Sequence, residues 1–86
     1  MKIDWLEWDE DTIEHIAQHG VTIEEVYEVC DGRHKVKKVK YGRHGVLGQT
    51  ESGRYLTVIL ERLLGNTFQV VTARDMSKSE RRLYRR

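Results

Sequence analysis

The hydrophobic pattern of this chain changes period at Gly32, and that change limits the folds open to it. Before Gly32, apolar residues recur at helical spacing. "DEDTIEHIAQHG" puts Ile13, Ile16 and Ala17 on one face, with Asp9 as N-cap and Gly20 at the left-handed position past the end. "VTIEEVYEVCDG" is marked more strongly. Thr22 and Glu25 form a capping box, Val21 and Val26 a hydrophobic staple, and Ile23, Val26, Tyr27, Val29 and Cys30 a broad apolar face. After Gly32 the spacing is that of strands, in "HKVKKVK", "HGVLGQT", "RYLTVILERL" and "TFQVVTAR". Tyr41-Gly42, Glu51-Ser52-Gly53 and Gly65-Asn66 supply turns between them. Links this short favour an antiparallel meander. The third and fourth segments are apolar on both alternations, which predicts central strands covered on both faces. The lysine-rich first segment suits a sheet edge. "MKIDWLEW" reads as a short strand or an extended lead-in. "SKSERRLYRR" reads as a helix with a second capping box, Ser77 with Glu80, packed inward by Leu83 and Met76. The predicted class is α+β: N-terminal helices, a four-stranded antiparallel sheet, then a C-terminal helix.

A chain of 86 residues predicts one domain, 1–86, with a modest core. Trp5, Trp8, Tyr27 and Phe68 are expected in that core. The single cysteine, Cys30, forms no disulfide within the chain, and no Cys/His set has zinc spacing. With no apolar leader and no membrane-length apolar run, the expectation is a soluble, cytoplasmic protein.

The net charge of +1 hides a division. Residues 1–31 carry ten acidic side chains against Lys2, whereas residues 32–86 carry fourteen Lys and Arg against Glu51, Glu61, Asp75 and Glu80. The basic part is suited to a polyanion, although the two parts can also neutralise each other within the fold.

The chemistry of such a chain rests on Arg, Lys, His and Tyr, because no phosphate-binding glycine loop, nucleophile elbow or carboxylate pair is present. Arg85 and Arg86 suit a helix C-terminus. Arg81 and Arg82 lie in the first turns, where positive charge is disfavoured, so they call for another reason, such as a phosphate. Strict alternation puts Arg54 with Leu56, Val58 and Leu60, and Arg74 with Phe68, Val70 and Thr72. Both arginines would then meet at the rim of one cleft, as paired forks for phosphate. A salt bridge to Glu80 or Asp75 is the competing account of Arg74. His15 and His19 have the spacing of a metal pair but no third ligand, and His19 also suits the last carbonyls of its helix. His44, beside Arg43, could shuttle protons or be an exposed strand residue. This toolkit suits RNA cleavage without metal, in which the substrate's own 2′-hydroxyl attacks.

Four segments carry a resemblance: "WDED", "HGVTIEEVYEV", "GRHGVLGQTESGRYLTVIL" and, most of all, "VVTARDMSKSERRLY". With these in order, the chain resembles the BrnT family of ribonuclease toxins, relatives of the RelE-like toxins of bacterial type II toxin–antitoxin systems. The resemblance implies a cytoplasmic α/β toxin that cleaves RNA. It also implies a small antitoxin that folds against the toxin and binds operator DNA, in a toxin–antitoxin heterotetramer. By position it implies an active surface of Arg43, Arg54, Arg74, Arg81 and Tyr84, with His19 a further candidate. Arg54 and Arg74 would grip the scissile phosphate and Arg81 a neighbouring one, while Tyr84 would stack on a base or act as general acid. Lys35, Lys37, Lys38, Lys40, Arg82 and Arg85 would bind RNA around it. No metal or other cofactor is expected. The competing function is a toxin-like binding module without catalysis.

Overall fold

Each of the three helices starts at the cap its sequence supplies. In the computed structural model, which describes residues 1–86, α1 (Glu10–Gln18) begins with the Asp9 carboxylate accepting from the Thr12 N–H at 2.7 Å. The helices α2 (Ile23–Asp31) and α3 (Lys78–Arg85) open with complete capping boxes at Thr22/Glu25 and Ser77/Glu80. Val21 and Val26, the two halves of the staple, are both buried.

The sheet has five strands rather than four, and it is mixed. β2 (His34–Lys38), β3 (His44–Gln49), β4 (Tyr55–Leu64) and β5 (Thr67–Asp75) form the antiparallel meander expected from their turns. The lead-in contributes β1 (Trp5–Glu7), which pairs parallel to β5 and gives the order β1-β5-β4-β3-β2. This corrects the four-stranded antiparallel expectation. The long connection from β1 to β5, through both helices and the meander, allows a parallel partner where a tight turn could not. β2, rich in lysine, is the opposite edge.

Helix α1 rests on β5, and α2 on β3 and β4. Their apolar faces meet Val46, Leu56, Val58, Leu60, Phe68 and Val70 in one core. Helix α3 lies against the other face, where Leu47 and Thr57 are also buried. Its cover is partial, since Ile59 and Thr72 further along are only half-buried. Of the four aromatics expected inside, Phe68 is fully buried and Trp8 half-buried at the edge of the core. Trp5 is 63% exposed and Tyr27 38% exposed. At a sheet edge only one alternation faces the helices, and Leu6 takes it.

Register decides the placement of every charged side chain near the C-terminal end of β5. Ile59 pairs with Thr72 but Leu60 with Val70, so Val71 is an extra residue, a β-bulge. Val70 and Ala73 consequently share the α1/α2 side, both fully buried. Thr72 and Arg74 are turned to the α3 side, opposite Ile59 and Thr57.

Candidate functional site

The bulge separates Arg54 from Arg74. Arg54 stays on the α1/α2 side with Leu56, whose register partner is Asp75. Its Nε donates to Asp75 Oδ1 at 2.9 Å, and Nη1 to the Gly20 carbonyl and to Glu25. Nη2 donates to the His19 carbonyl at 3.1 Å. Four of the five guanidinium N–H groups are thus engaged, and Arg54 ties the end of α1 and the start of α2 to the sheet. Arg74 is on the opposite face, so the expected convergence of the two forks on one cleft does not occur. They share only Asp75, whose side chain meets Arg54 and whose carbonyl accepts from Arg74.

Arg74 instead faces Glu80, a buried carboxylate only 3% exposed. Nη1 and Nη2 of Arg74 reach Oε1 and Oε2 at 2.6 and 3.0 Å. Lys37 Nζ from β2 lies 2.7 Å from Oε2. Thr57 Oγ1 and the Ser77 N–H both donate to Oε1 at 2.9 Å. Burial alone would raise the pKa of Glu80; the bonds from Arg74, Lys37, Ser77 and Thr57 outweigh it and hold the carboxyl well below its usual range. Two cations around one carboxylate leave an excess positive charge, partly open to solvent: the Arg74 and Lys37 side chains are 40% and 31% exposed. Gly45 makes room for the Lys37 stem, since a Cβ there would stand 3.2 Å from Lys37 Cγ.

The remaining α3-side residues extend this surface. The Arg81 guanidinium lies over the Tyr55 ring, 4.2 Å from its centroid, and Tyr84 meets Tyr55 edge-on at 6.0 Å. Arg81, Arg82, Arg85 and Arg86 line a shallow hollow of about 460 Å³ and have no carboxylate partner. Arg43, next to β3, donates to Glu61 at 3.2 Å.

The other expected residues have different placements. Lys35 donates to the Leu83 and Arg86 carbonyls at 3.1 and 2.8 Å, which satisfies the C-terminal end of α3. Lys38 and Lys40 are exposed near the β2–β3 turn. His19 is exposed at the end of α1, on the face of the sheet opposite α3, its ring 5.0 Å from that of His15. His44 faces the α1/α2 side with its edge on Phe68, opposite in alternation to Arg43. The rival account of Arg74, a salt bridge to Glu80, is the one the structure shows, with Lys37 and Thr57 as further partners of that carboxylate, and Tyr55 is the contributor the sequence reading did not name. Tyr55 stands two residues before Thr57, on one alternation, and that spacing was the available signal.

Three helices on a mixed five-stranded sheet, with a basic face built around α3, make this an α+β domain. Among solved structures, the crystal structure of the Brucella abortus ribonuclease toxin BrnT superposes with a TM-score of 0.66 at 25% identity. The match covers 91% of this chain and 99% of that one. The chain therefore has a BrnT-like fold, in agreement with the resemblance carried by its four segments. No protein-family model matches the chain, and no curated protein does.

Proposed function

We propose that this protein is the endoribonuclease toxin of a type II toxin–antitoxin pair, cytoplasmic and independent of metal, and that its active surface is the α3 side of the sheet. The observation that carries the reading is the state of Arg74. Its Nε–H and one Nη2–H make no hydrogen bond within the chain, beside an ammonium with donors to spare. That free edge matches two phosphate oxygens. The 2′-hydroxyl of the RNA attacks the adjacent phosphorus, and Arg74 and Lys37 stabilise the charge that develops on the phosphoryl oxygens. Tyr84 supplies the proton to the leaving 5′-oxygen, and the 2′-proton passes to solvent. Arg43, Arg81, Arg82 and Arg85 hold neighbouring phosphates. Arg54 supports the site from behind through Asp75.

Cleavage of RNA by the purified protein in EDTA is the first test. Arg74→Lys keeps the charge but loses the fork, and it should lower turnover by about a hundredfold with little change in melting temperature. Arg54→Ala should instead destabilise the fold by about 2 kcal/mol, with the remaining folded protein still active. Full activity in Arg74→Lys and Tyr84→Phe together would remove this surface from the mechanism. Salt-dependent RNA binding without cleavage would favour the non-catalytic module. Growth arrest on induction, relieved by a neighbouring open reading frame, tests the pairing with an antitoxin.

A further inference from the structure

Glu80 is the only charged residue buried in the protein, and it takes contacts from β2, β4, β5 and the start of α3. A helix cap alone needs one of those contacts, the Ser77 N–H. A salt bridge to quench Arg74 would need one cation, yet two converge. What Glu80 occupies is selective. It takes the Nη1–Nη2 edge of Arg74 and a single donor of Lys37. The Asp75 carbonyl takes the other Nη1–H. Left over are the adjacent Nε–H and Nη2–H of Arg74 and the two other ammonium protons of Lys37.

We propose that Glu80 is a positioning residue for phosphate recognition. By holding the far edge of Arg74 together with Lys37, it sets the near edge and the ammonium to receive one anion between them. The inference rests on the ribonuclease reading for its substrate, but its geometry can be read without cleavage. A carboxylate fixed by Thr57 and the Ser77 N–H cannot swing away when phosphate arrives, so the two cations keep their spacing. The anion meets an excess of one positive charge, arranged in advance.

Glu80→Gln tests this. Glutamine still serves a capping box, so the start of α3 is retained, but its amide cannot accept from both cations. The first measurement follows the Arg74 Nε–H resonance during titration with an uncleavable 2′-O-methyl oligoribonucleotide. A saturable shift is expected in the wild-type protein and a lost or unsaturable one in Glu80→Gln. The second measurement is kinetic. Turnover should fall by about tenfold or more, while the salt dependence of oligonucleotide binding steepens by about 0.7, because one neutralising charge has gone. Damage to the fold alone would weaken binding instead. Thr57→Val, close in volume, removes one anchor of the carboxylate without touching a cation, and should lower turnover severalfold at unchanged KM. It serves if Glu80→Gln does not fold. An unresponsive Arg74 resonance in the wild type, or equal responses in both proteins, overturns the role of Glu80. Failure of the wild type to cleave any RNA, with the Arg74 response intact, overturns the nuclease reading and leaves the anion site standing.

Discussion

At the scale of single residues, the arginines show how hydrogen-bond accounting separates a brace from a group with donors left over. Arg54 and Arg74 are both paired to carboxylates, but one has four N–H groups committed and the other keeps a continuous free edge. Glu80 also makes folding sensitive to acid. Its folded carboxyl resists protonation far below the ordinary value near 4.5. Its contribution to stability is thus complete above that value and is lost as pH falls below it, where the unfolded chain takes up the proton first. Urea unfolding at pH 6 and pH 3 should show a larger loss for wild type than for Glu80→Gln. Cys30 is inert by the opposite effect: burial, then Asp31, push its thiol up to about 12. Tyr41, 86% exposed, has φ of +66°, a conformation that costs a side chain with a Cβ. Tyr41→Gly should stabilise the β2–β3 turn by about 0.5–1 kcal/mol, read as a higher urea midpoint.

At the scale of elements, helices and turns were legible because their signals are local. A cap and its partner lie three residues apart, and a turn is named by its glycine. All three caps and all three turns follow. The bulge was not legible. Val70 and Val71 are equally suited to a strand, and nothing in "TFQVVTAR" marks which residue is surplus; the partner strand and the packed core decide it. One unpaired residue therefore moved Arg74 to the other face and divided the expected site. β1 was equally hidden in its pairing, since a three-residue strand says nothing of a partner far along the chain. The close fit of α2 on β3 offers a test at this scale. A Cβ at Gly48 would stand 3.0 Å from Val29 Cγ1 and 3.4 Å from the Val29 and Arg33 carbonyls. Gly48→Ala should cost about 1–3 kcal/mol, measured by thermal unfolding, through displacement of the helix.

At the scale of the whole molecule, the division of charge along the sequence becomes a division in space. Acidic Glu24, Glu28, Asp31 and Glu51 surround a hollow of about 630 Å³ between α2 and the β3–β4 turn. Arg81, Arg82, Arg85 and Arg86, none of them paired with a carboxylate, gather at α3, on the other side of the sheet. Such a molecule has an orientation in the field of a polyanion, and its RNA affinity should fall steeply with salt. Replacing Arg82 or Arg85 by alanine should each reduce the slope of log affinity against log salt by about 0.7, measured with single-stranded RNA.

Strand β1 joins the sheet by reaching β5 from nearly the other end of the chain, at Trp5 with Thr67. The hairpins can form as soon as neighbouring segments meet, whereas this contact must wait for a large loop to close. Until it does, the main-chain groups of β5 from Thr67 to Gln69 are open to any extended segment, including one from another copy. The short N-terminal strand is in this sense a latch. Trimming it would lengthen the time during which folding molecules can join to one another rather than to themselves.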